Sequence, residues 1–347
     1  MTDLKRFNNN FDFLRLFAAT MVIFSHCYPL LFGINSNLEP FKPFNYSEIT
    51  LGTLAVFIFF IISGYLITLS WKNDPFLDNF FIKRILRIYP GFTIVLFGTS
   101  FILGVILTNL SIFEYFKNFD YIGFIYNFLV LEQVNLPGVF QNNPYPDAVN
   151  GSLWILFWEF KMYIVIALLG FFGFLNKKIM TLLIIIYSFI WYSWDMKLLV
   201  IQNNILLNNI LSPYPLYFLI GSIFAIRNDK TYDYRIAIIL LIIWIMTLKS
   251  FIFVLFSFLA LPYIILTFAN AKIPAINKFG IFGDFSYGLY IFAFPIQQTI
   301  VMLAGKDLTI FTFFISSFFI TLGFAIVSWK MIESKALKLK IKLVKTH

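Results

Sequence analysis

Phe11-Asp-Phe-Leu-Arg-Leu-Phe-Ala-Ala-Thr-Met-Val-Ile-Phe-Ser-His-Cys-Tyr-Pro-Leu-Leu-Phe32 is the first long apolar segment of the chain. An α-helix needs about 20 mainly apolar residues to cross a bilayer, and this stretch reaches that length. Arg15 lies near its start and His26 near its end, and both are costly in hydrocarbon. The stretch therefore predicts a membrane-spanning helix in which the presence of two ionisable side chains has to be explained.

Arg15 and His26 are predicted to share one face of this helix. At about 100° and 1.5 Å per residue, eleven steps return to within roughly 20° of the starting direction and rise about 16 Å. His347 is the only other histidine. Each residue alone could have a purely structural role. Arg15 would then reach the membrane interface, and His26 would form a hydrogen bond with a neighbouring helix. The pair on one face instead indicates a functional stripe.

The composition excludes a soluble protein. Charged residues make up 12% of the chain and hydrophobic residues 60%, whereas soluble domains carry about 25% charged residues. The net charge of +9 does not indicate a nucleic-acid partner, because the basic residues follow membrane topology. One cysteine, Cys27, excludes an intrachain disulfide.

Ten spans are predicted, and lysine and arginine orient them. The spans cover about 11–32, 49–71, 91–109, 151–173, 179–194, 211–226, 235–250, 251–269, 283–303 and 308–329. With a cytoplasmic N-terminus, 20 basic residues fall inside and 5 outside. The predicted fold is an all-α polytopic helical bundle over 1–347, with both termini cytoplasmic and no attached soluble domain.

Two connections are long. Residues 72–90 are basic and amphipathic, which predicts a short helix on the inner surface. Residues 110–150 lie outside, and their apolar run Ile122–Leu131 is too short to cross. The prolines and asparagines of Val134–Asn150 predict an irregular loop.

The inner connection carries Arg84-x-x-Arg87, followed by Tyr89. Two arginines three apart project from one side of a helix, and guanidinium groups match phosphate oxygens in pairs. The pattern indicates a site for a phosphorylated cytoplasmic ligand. Plain positive-inside topology with anionic-lipid contact explains the same residues.

Two further spans carry polar residues at membrane depth. Ser63 and Gly64 in the second span permit close helix packing or the approach of a ligand chain. In the fourth span, Glu159 lies eight residues past Gly151, about 12 Å into a helix that starts there. A carboxylate beside His26 would fix its tautomer and raise its basicity, although a structural contact explains Glu159 equally well.

The ninth span begins at Gly283-Asp284, and Asp284 is a natural N-cap. Pro295 predicts a kink, and Gln297 and Gln298 are polar within the span, so they line a cavity or make interhelical contacts. Walker, nucleophile-elbow and zinc-protease motifs are absent from the sequence, and one internal histidine with one cysteine predicts no metal site.

Taken in order, these motifs resemble the membrane acyltransferase type 3 family, which includes bacterial polysaccharide and O-antigen O-acetyltransferases. The matching segments are Arg15-x10-His26, Phe60-Ile-Ile-Ser-Gly-Tyr-Leu66, Lys83-Arg-Ile-Leu-Arg-Ile-Tyr-Pro90, Asn150-Gly-Ser-Leu-Trp154 with Glu159, Ser286-Tyr-Gly-Leu-Tyr290 and Ile332-Glu-Ser334. One departure is Ala293-Phe-Pro295, where many members place a histidine. The esterase-like domain of some members is also absent from this sequence.

The resemblance implies an acetyl-CoA-dependent O-acyltransferase in the bacterial inner membrane. No permanently bound cofactor is implied; acyl-CoA, with acetyl favoured, is the co-substrate, and a glycan or lipid-linked glycan is the acceptor. His26 is then the catalytic base or acyl carrier, and Glu159 assists it.

The remaining implied roles concern the two substrates. Donor binding falls to Arg15, Arg84, Arg87 and Tyr89, and the substrate cavity to Ser63, Gly64, Ser152, Trp154 and Tyr290.

A transporter of acylated glycan or of acyl groups is the competing class. The absence of paired, broken half-helices disfavours it. The acceptor hydroxyl and the oligomeric state stay open.

Overall fold

The fold is taken from a computed structural model, which describes residues 9–34, 36–132, 135–195, 211–227 and 232–343. The described residues form helices and connecting turns, without strands. This agrees with the all-α prediction. Val134 and His347 lie outside the described residues. The same holds for some of the basic residues counted above, which are Lys5, Arg6, Lys230 and Lys345 on the inside and Lys197 on the outside.

The helices are numbered in chain order. They are α1 (Phe11–Phe32), α2 (Leu51–Asn73), α3 (Leu77–Leu107), α4 (Ile112–Lys117), α5 (Tyr121–Val130), α6 (Trp154–Phe171), α7 (Lys177–Asp195), α8 (Tyr214–Ile226), α9 (Tyr234–Thr247), α10 (Phe253–Asn270), α11 (Ser286–Ala304), α12 (Ile310–Ser328) and α13 (Ser334–Leu343). Short helical turns cover Lys42–Phe44, Pro274–Asn277, Phe279–Phe282 and Gly305–Asp307, and a π-turn over Trp329–Glu333 joins α12 to α13.

Seven helices in the described part of the chain are long and apolar enough to cross a membrane. They are α1, α2, α3, α6, α10, α11 and the helix running from Ile310 to Lys340. The other three predicted spans form the helices α7, α8 and α9, which are not among the seven. The count of ten spans and the cytoplasmic termini therefore stay predictions.

Residues 72–90 do not form a separate surface helix, so that prediction is wrong. Leu77 begins a helix that continues through Pro90 and a π-turn at Gly98–Leu103 to Leu107. Proline removes one helical hydrogen bond, and helices that cross a membrane tolerate this loss where neighbouring groups satisfy the freed carbonyl. Arg84 and Arg87 thus lie on the same helix as the third predicted span.

The segment before α6 corrects another boundary. Residues 151–153 form a turn, and α6 begins at Trp154 rather than Gly151. Glu159 therefore lies about 8 Å into its helix, not about 12 Å. The predicted irregular loop before it is confirmed over its described residues, 135–150, which contain no helix.

Contacts divide the chain into two compact units. The first draws on 1–55, 81–157 and 272–347, and the second on 56–80 and 158–271. The helices α1, α11 and α12 belong to the first unit, and α8, α9 and α10 to the second. The prediction of one domain over 1–347 stays a prediction.

The core of the first unit lies where α1, α11 and α12 pack together. Gly288 of α11 sits against Ala325 of α12, so the two backbones approach closely. One buried cluster joins the three helices. It contains Cys27, Leu30, Leu31, Phe294, Val301 and Phe313.

Buried amides fasten α11 to its neighbours in this unit. The Gln297 Nε2 donates to the Ile23 carbonyl at 2.9 Å and contacts the Cys27 Sγ at 3.3 Å. The Gln298 Nε2 donates to the carbonyls of Tyr145 and Ala148 at 2.7 and 2.8 Å. The two glutamines therefore make interhelical and loop contacts, which is one of the two alternatives that the sequence left open.

In the second unit, α2 and α8 cross at two glycines. A Cβ on Gly64 would overlap the Phe218 carbonyl, and one on Gly221 would overlap the Ile61 carbonyl. The Ser222 hydroxyl adds a hydrogen bond to the Gly64 carbonyl at 3.2 Å. Small residues thus allow the close backbone contact on which this crossing depends.

Candidate functional site

Arg15 and His26 lie on one uninterrupted helix, α1. The regular turns between them preserve the predicted common face and the separation of about 16 Å. Both residues are partly exposed, while Leu14, Ser25 and Cys27 beside them are buried. Ala19 and Val22, which lie between them on this face, are buried as well, so the face is accessible only at its two ends, at Arg15 and at His26.

His26 has an apolar neighbour on one side and a buried ring nitrogen. The Phe294 ring meets the imidazole edge-on, with ring centroids 5.4 Å apart. The His26 Nδ1 is buried and has no hydrogen-bond partner among the described residues. Since the residue as a whole is partly exposed, Nε2 is the nitrogen left for proton transfer or nucleophilic attack.

Phe294 also connects His26 to the segment before α6. Its ring packs on Gly151, where a Cβ would lie 2.8 Å from two ring carbons. The Tyr290 hydroxyl donates to the Ser152 carbonyl at 2.5 Å, and the Ser152 side-chain oxygen is buried without a partner among the described residues. Tyr290 and Phe294 therefore hold the Gly151–Ser152 turn to α11. They flank Ala293, in the segment where many members of the resembling family have a histidine.

The Asn150 side chain reinforces this connection, because its Nδ2 donates to the Ile291 carbonyl at 2.8 Å. Trp154, at the start of α6, is 39% exposed. Within the first unit, Phe294 contacts His26, and Tyr290, one turn before Phe294 on α11, contacts Ser152. The cavity roles of Ser152, Trp154 and Tyr290 stay predictions.

Glu159 lies in the second unit, where two hydroxyl groups hold its carboxylate. The Tyr163 hydroxyl donates to Oε1 at 2.6 Å, and the Ser63 hydroxyl donates to the same oxygen. These bonds join α2 to α6 and orient the carboxylate. The predicted pairing of Glu159 with His26 stays a prediction, because His26 belongs to the first unit.

Ser63 and Gly64 therefore have structural contacts in the second unit. Ser63 binds Glu159, and Gly64 fits the crossing with α8. Their assignment to a substrate cavity stays a prediction.

Three helices converge at the other end of α1, around Asp284. The Asp284 Oδ2 lies 2.5 Å from the Arg87 Nη2 and 3.7 Å from the Arg15 Nη1. Asp284 is 7% exposed, whereas the arginine side chains are 26% and 24% exposed. Burial raises the pKa of Asp284, but Arg87 and Arg15 outweigh it and hold the pKa below its usual range.

Asp284 is not the N-cap of α11, so that prediction is wrong. The helix begins at Ser286 with Phe285 as its cap residue, and Phe285 makes no side-chain capping bond. The Asp284 Oδ1 accepts a hydrogen bond from the Ser286 hydroxyl at 2.5 Å. Two arginines on other helices compete for this carboxylate, and the sequence around α11 contains no sign of them.

Arg87 also lies against an aromatic ring. Its guanidinium carbon is 5.4 Å from the Tyr287 ring centroid, and the Tyr287 hydroxyl donates to the Ile88 carbonyl at 2.7 Å. The ring packs against Gly91, one turn further along α3. These contacts of Tyr287 join α3 to α11 beside the Arg87–Asp284 ion pair.

The other predicted donor-binding residues have different surroundings. Arg84 is 5% exposed, so it is buried more deeply than Arg87. The Tyr89 hydroxyl donates to the Leu129 carbonyl of α5 at 3.0 Å. The donor-binding roles of Arg15, Arg84, Arg87 and Tyr89 stay predictions.

The comparisons with known proteins agree with the resemblance that these motifs carry. The model of an acyltransferase domain family, acyltransferase 3, matches residues 8–330. Over 341 residues the chain is 29% identical to the O-acetyl transferase of Shigella phage Sf6, which covers 95% of this chain and 96% of that protein.

A second relative matches a shorter region. Over 84 residues the chain is 42% identical to Nodulation protein 10 of Rhizobium leguminosarum bv. viciae, which is 24% of this chain and 22% of that protein. No solved structure matches the chain. The family model covers nearly the whole sequence, and the chain therefore belongs to the membrane acyltransferase type 3 family.

Proposed function

We propose that the protein is an O-acetyltransferase of the bacterial inner membrane. It transfers an acetyl group from cytoplasmic acetyl-CoA to a hydroxyl of a cell-surface polysaccharide or its lipid-linked precursor. The family and the phage O-acetyl transferase support acyl transfer. The observation that carries the proposal is His26, whose Nδ1 is buried while the residue stays partly exposed on the helix that also carries Arg15.

In this mechanism, the His26 Nε2 removes the proton from the acceptor hydroxyl. The alkoxide oxygen attacks the thioester carbonyl carbon, a C–O bond forms, and the C–S bond breaks. The CoA thiolate leaves with the electron pair and takes the proton that His26 accepted. A two-step variant passes through an acetyl group on Nε2, which the acceptor then takes.

In the proposal, Glu159 keeps the assisting role that the family resemblance implies. The hydroxyls of Ser63 and Tyr163 fix the Glu159 carboxylate in one direction, which suits an orienting role. Arg15, Arg84, Arg87 and Tyr89 bind the donor, with the arginines contacting its phosphates.

The test uses purified protein, radiolabelled acetyl-CoA and a de-O-acetylated lipid-linked glycan. We expect His26→Ala to lower acetyl transfer by at least about 100-fold, because general-base catalysis alone contributes that much. Cys27→Ala is the matched control. Cys27 is the buried neighbour on α1, and its loss should leave most of the transfer intact.

Equal transfer by wild type and His26→Ala would contradict the proposal. Movement of acetyl groups or glycan across proteoliposomes without a covalent product would instead support the carrier function.

A further inference from the structure

We propose that Asp284 is a positioning residue that holds Arg15 and Arg87 together as one phosphate-binding pair for the acyl donor. The inference rests on the proposed function. It assigns a role to a carboxylate outside the motif residues, and it explains why an arginine of α1 and an arginine of α3 lie at the same place.

The geometry assigns different tasks to the two oxygens of the carboxylate. Oδ2 faces both guanidinium groups, at 2.5 Å for Arg87 and 3.7 Å for Arg15. Oδ1 accepts from the Ser286 hydroxyl at 2.5 Å, which fixes the rotation of the carboxyl group. One oxygen therefore sets the separation of two cations that belong to different helices.

Exposure separates the anchor from the groups that it positions. Asp284 is nearly buried, whereas about a quarter of each arginine side chain is exposed. A guanidinium carries five N–H donors, and an ion pair with one carboxylate oxygen uses only part of them. The exposed donors suit a phosphate group, whose oxygens accept such bonds in pairs.

Asp284 also offsets the repulsion between the two arginines. Guanidinium groups that approach one point repel each other, and a buried anion between them reverses this effect. In the Asp284→Asn variant, the amide would keep the shape of the side chain but would lose the charge. The arginines would then separate, and the phosphate would bind more weakly because it would have to draw them together.

Asp12 provides an internal comparison. Its Oδ1 lies 3.6 Å from the Arg15 Nη1, and its side chain is 21% exposed. Asp12 contacts Arg15 from the same helix, one turn away, whereas Asp284 contacts arginines of two helices. If only the net charge of the cluster mattered, removing either carboxylate would make the cluster more cationic and tighten binding of an anionic donor.

The experiment measures CoA binding by titration calorimetry, with the protein in discs of zwitterionic lipid. Neutral headgroups exclude an anionic lipid as the occupant. We expect Asp284→Asn to weaken CoA binding about tenfold, the size of one charge-assisted hydrogen bond. Asp12→Asn should bind CoA as tightly as wild type or more tightly, and Asp284→Glu should recover part of the loss.

A second arm separates positioning from general damage. We expect the KM of Asp284→Asn to rise for acetyl-CoA and to match wild type for S-acetyl-pantetheine, which lacks the phosphates. A variant that is merely misfolded would lose both substrates. If Asp284→Asn does not fold, Ser286→Ala takes its place, with the same direction of change and an expected loss of about twofold to threefold.

The inference is overturned if Asp284→Asn binds CoA as well as wild type, if Asp12→Asn loses as much affinity, or if S-acetyl-pantetheine suffers equally. Wild-type protein that binds CoA but transfers no acetyl group would contradict the proposed function and leave this result standing. Wild-type protein that binds no CoA would contradict both.

Discussion

Single residues in this protein differ in function because their partners differ. His26 lies within α1, and Asp284 lies just before α11. The Asp284 carboxylate contacts two arginines and the hydroxyl of Ser286, whereas the His26 Nδ1 has no partner among the described residues. A fully partnered group holds structure together. A partly exposed ring with an unpaired nitrogen is available for chemistry.

The ion pairs of Asp284 predict an acid-dependent contribution to stability. Arg87 and Arg15 lower its folded-state pKa below the ordinary value of 3.8, despite the opposing effect of burial. A lowered folded-state pKa means that the stabilisation is complete above about pH 3.8 and is lost as the pH falls through the folded-state value. Glu333 and Asp12 are the other acidic groups near this cluster.

We therefore expect the melting temperatures of wild type and Asp284→Asn in detergent to differ by a constant amount between about pH 7 and about pH 5. The difference should shrink below about pH 4, where Asp284 takes up a proton. Thermal unfolding followed by tryptophan fluorescence measures this, with Asp12→Asn as the comparison. A difference that grows on acidification would show that the pKa is raised instead.

Among the helices, close crossings depend on the absence of side chains at particular positions. Gly64 and Gly221 let α2 and α8 approach within backbone contact, and Gly288 does the same for α11 and α12. In a membrane, dispersion contacts of this kind replace much of the hydrophobic driving force between helices. A single methyl group at the crossing is therefore enough to separate two backbones.

We expect Gly64→Ala to destabilise the protein by about 1–3 kcal/mol, because the new methyl group overlaps the Phe218 carbonyl, a backbone atom that cannot rotate away. Gly323→Ala is the matched control on α12. Among the described residues, no atom of another part of the chain lies within 4 Å of a Cβ there, so helix propensity alone should leave stability unchanged or raise it by up to about 1 kcal/mol. Melting temperatures in detergent measure both, and an equal decrease for the two variants would contradict this account.

For the molecule as a whole, the number of membrane crossings decides on which side of the membrane the loops of the C-terminal half lie. Seven helices of the described residues qualify as spans by length and composition, and three shorter or more polar helices, α7, α8 and α9, complete the predicted ten. Seven crossings place the two termini on opposite sides, whereas ten place both in the cytoplasm. The balance of basic residues favours ten.

Single cysteines introduced into a Cys27→Ala background distinguish the two arrangements. With ten spans and a cytoplasmic N-terminus, we expect Lys249→Cys to react with an impermeant maleimide from outside and Lys272→Cys to be protected. With only seven spans, Lys249→Cys should be protected and Lys272→Cys should react. Lys117→Cys outside and Lys177→Cys inside serve as controls, since both arrangements place them on the same sides, and all four lysines are exposed.

The helical membrane class, the family and most helix positions could be predicted from the sequence alone. Length, hydropathy and motif order are properties of consecutive residues, so they can be recognised without knowing what packs where. For the same reason, the spacing of Arg15 and His26 on α1 could be predicted, and the structure keeps that helix regular between them.

Which polar groups meet is settled by the packing of the helices and not by any local pattern. The sequence around Asp284 predicts a cap, but Arg15 and Arg87 lie far away in the chain and reach it only after α1, α3 and α11 have packed. The contact of Phe294 with His26 and Gly151, and the hydroxyls on Glu159, likewise join residues from distant parts of the chain. Side-chain partnership is a long-range outcome of helix packing, whereas helix formation is mostly a short-range one.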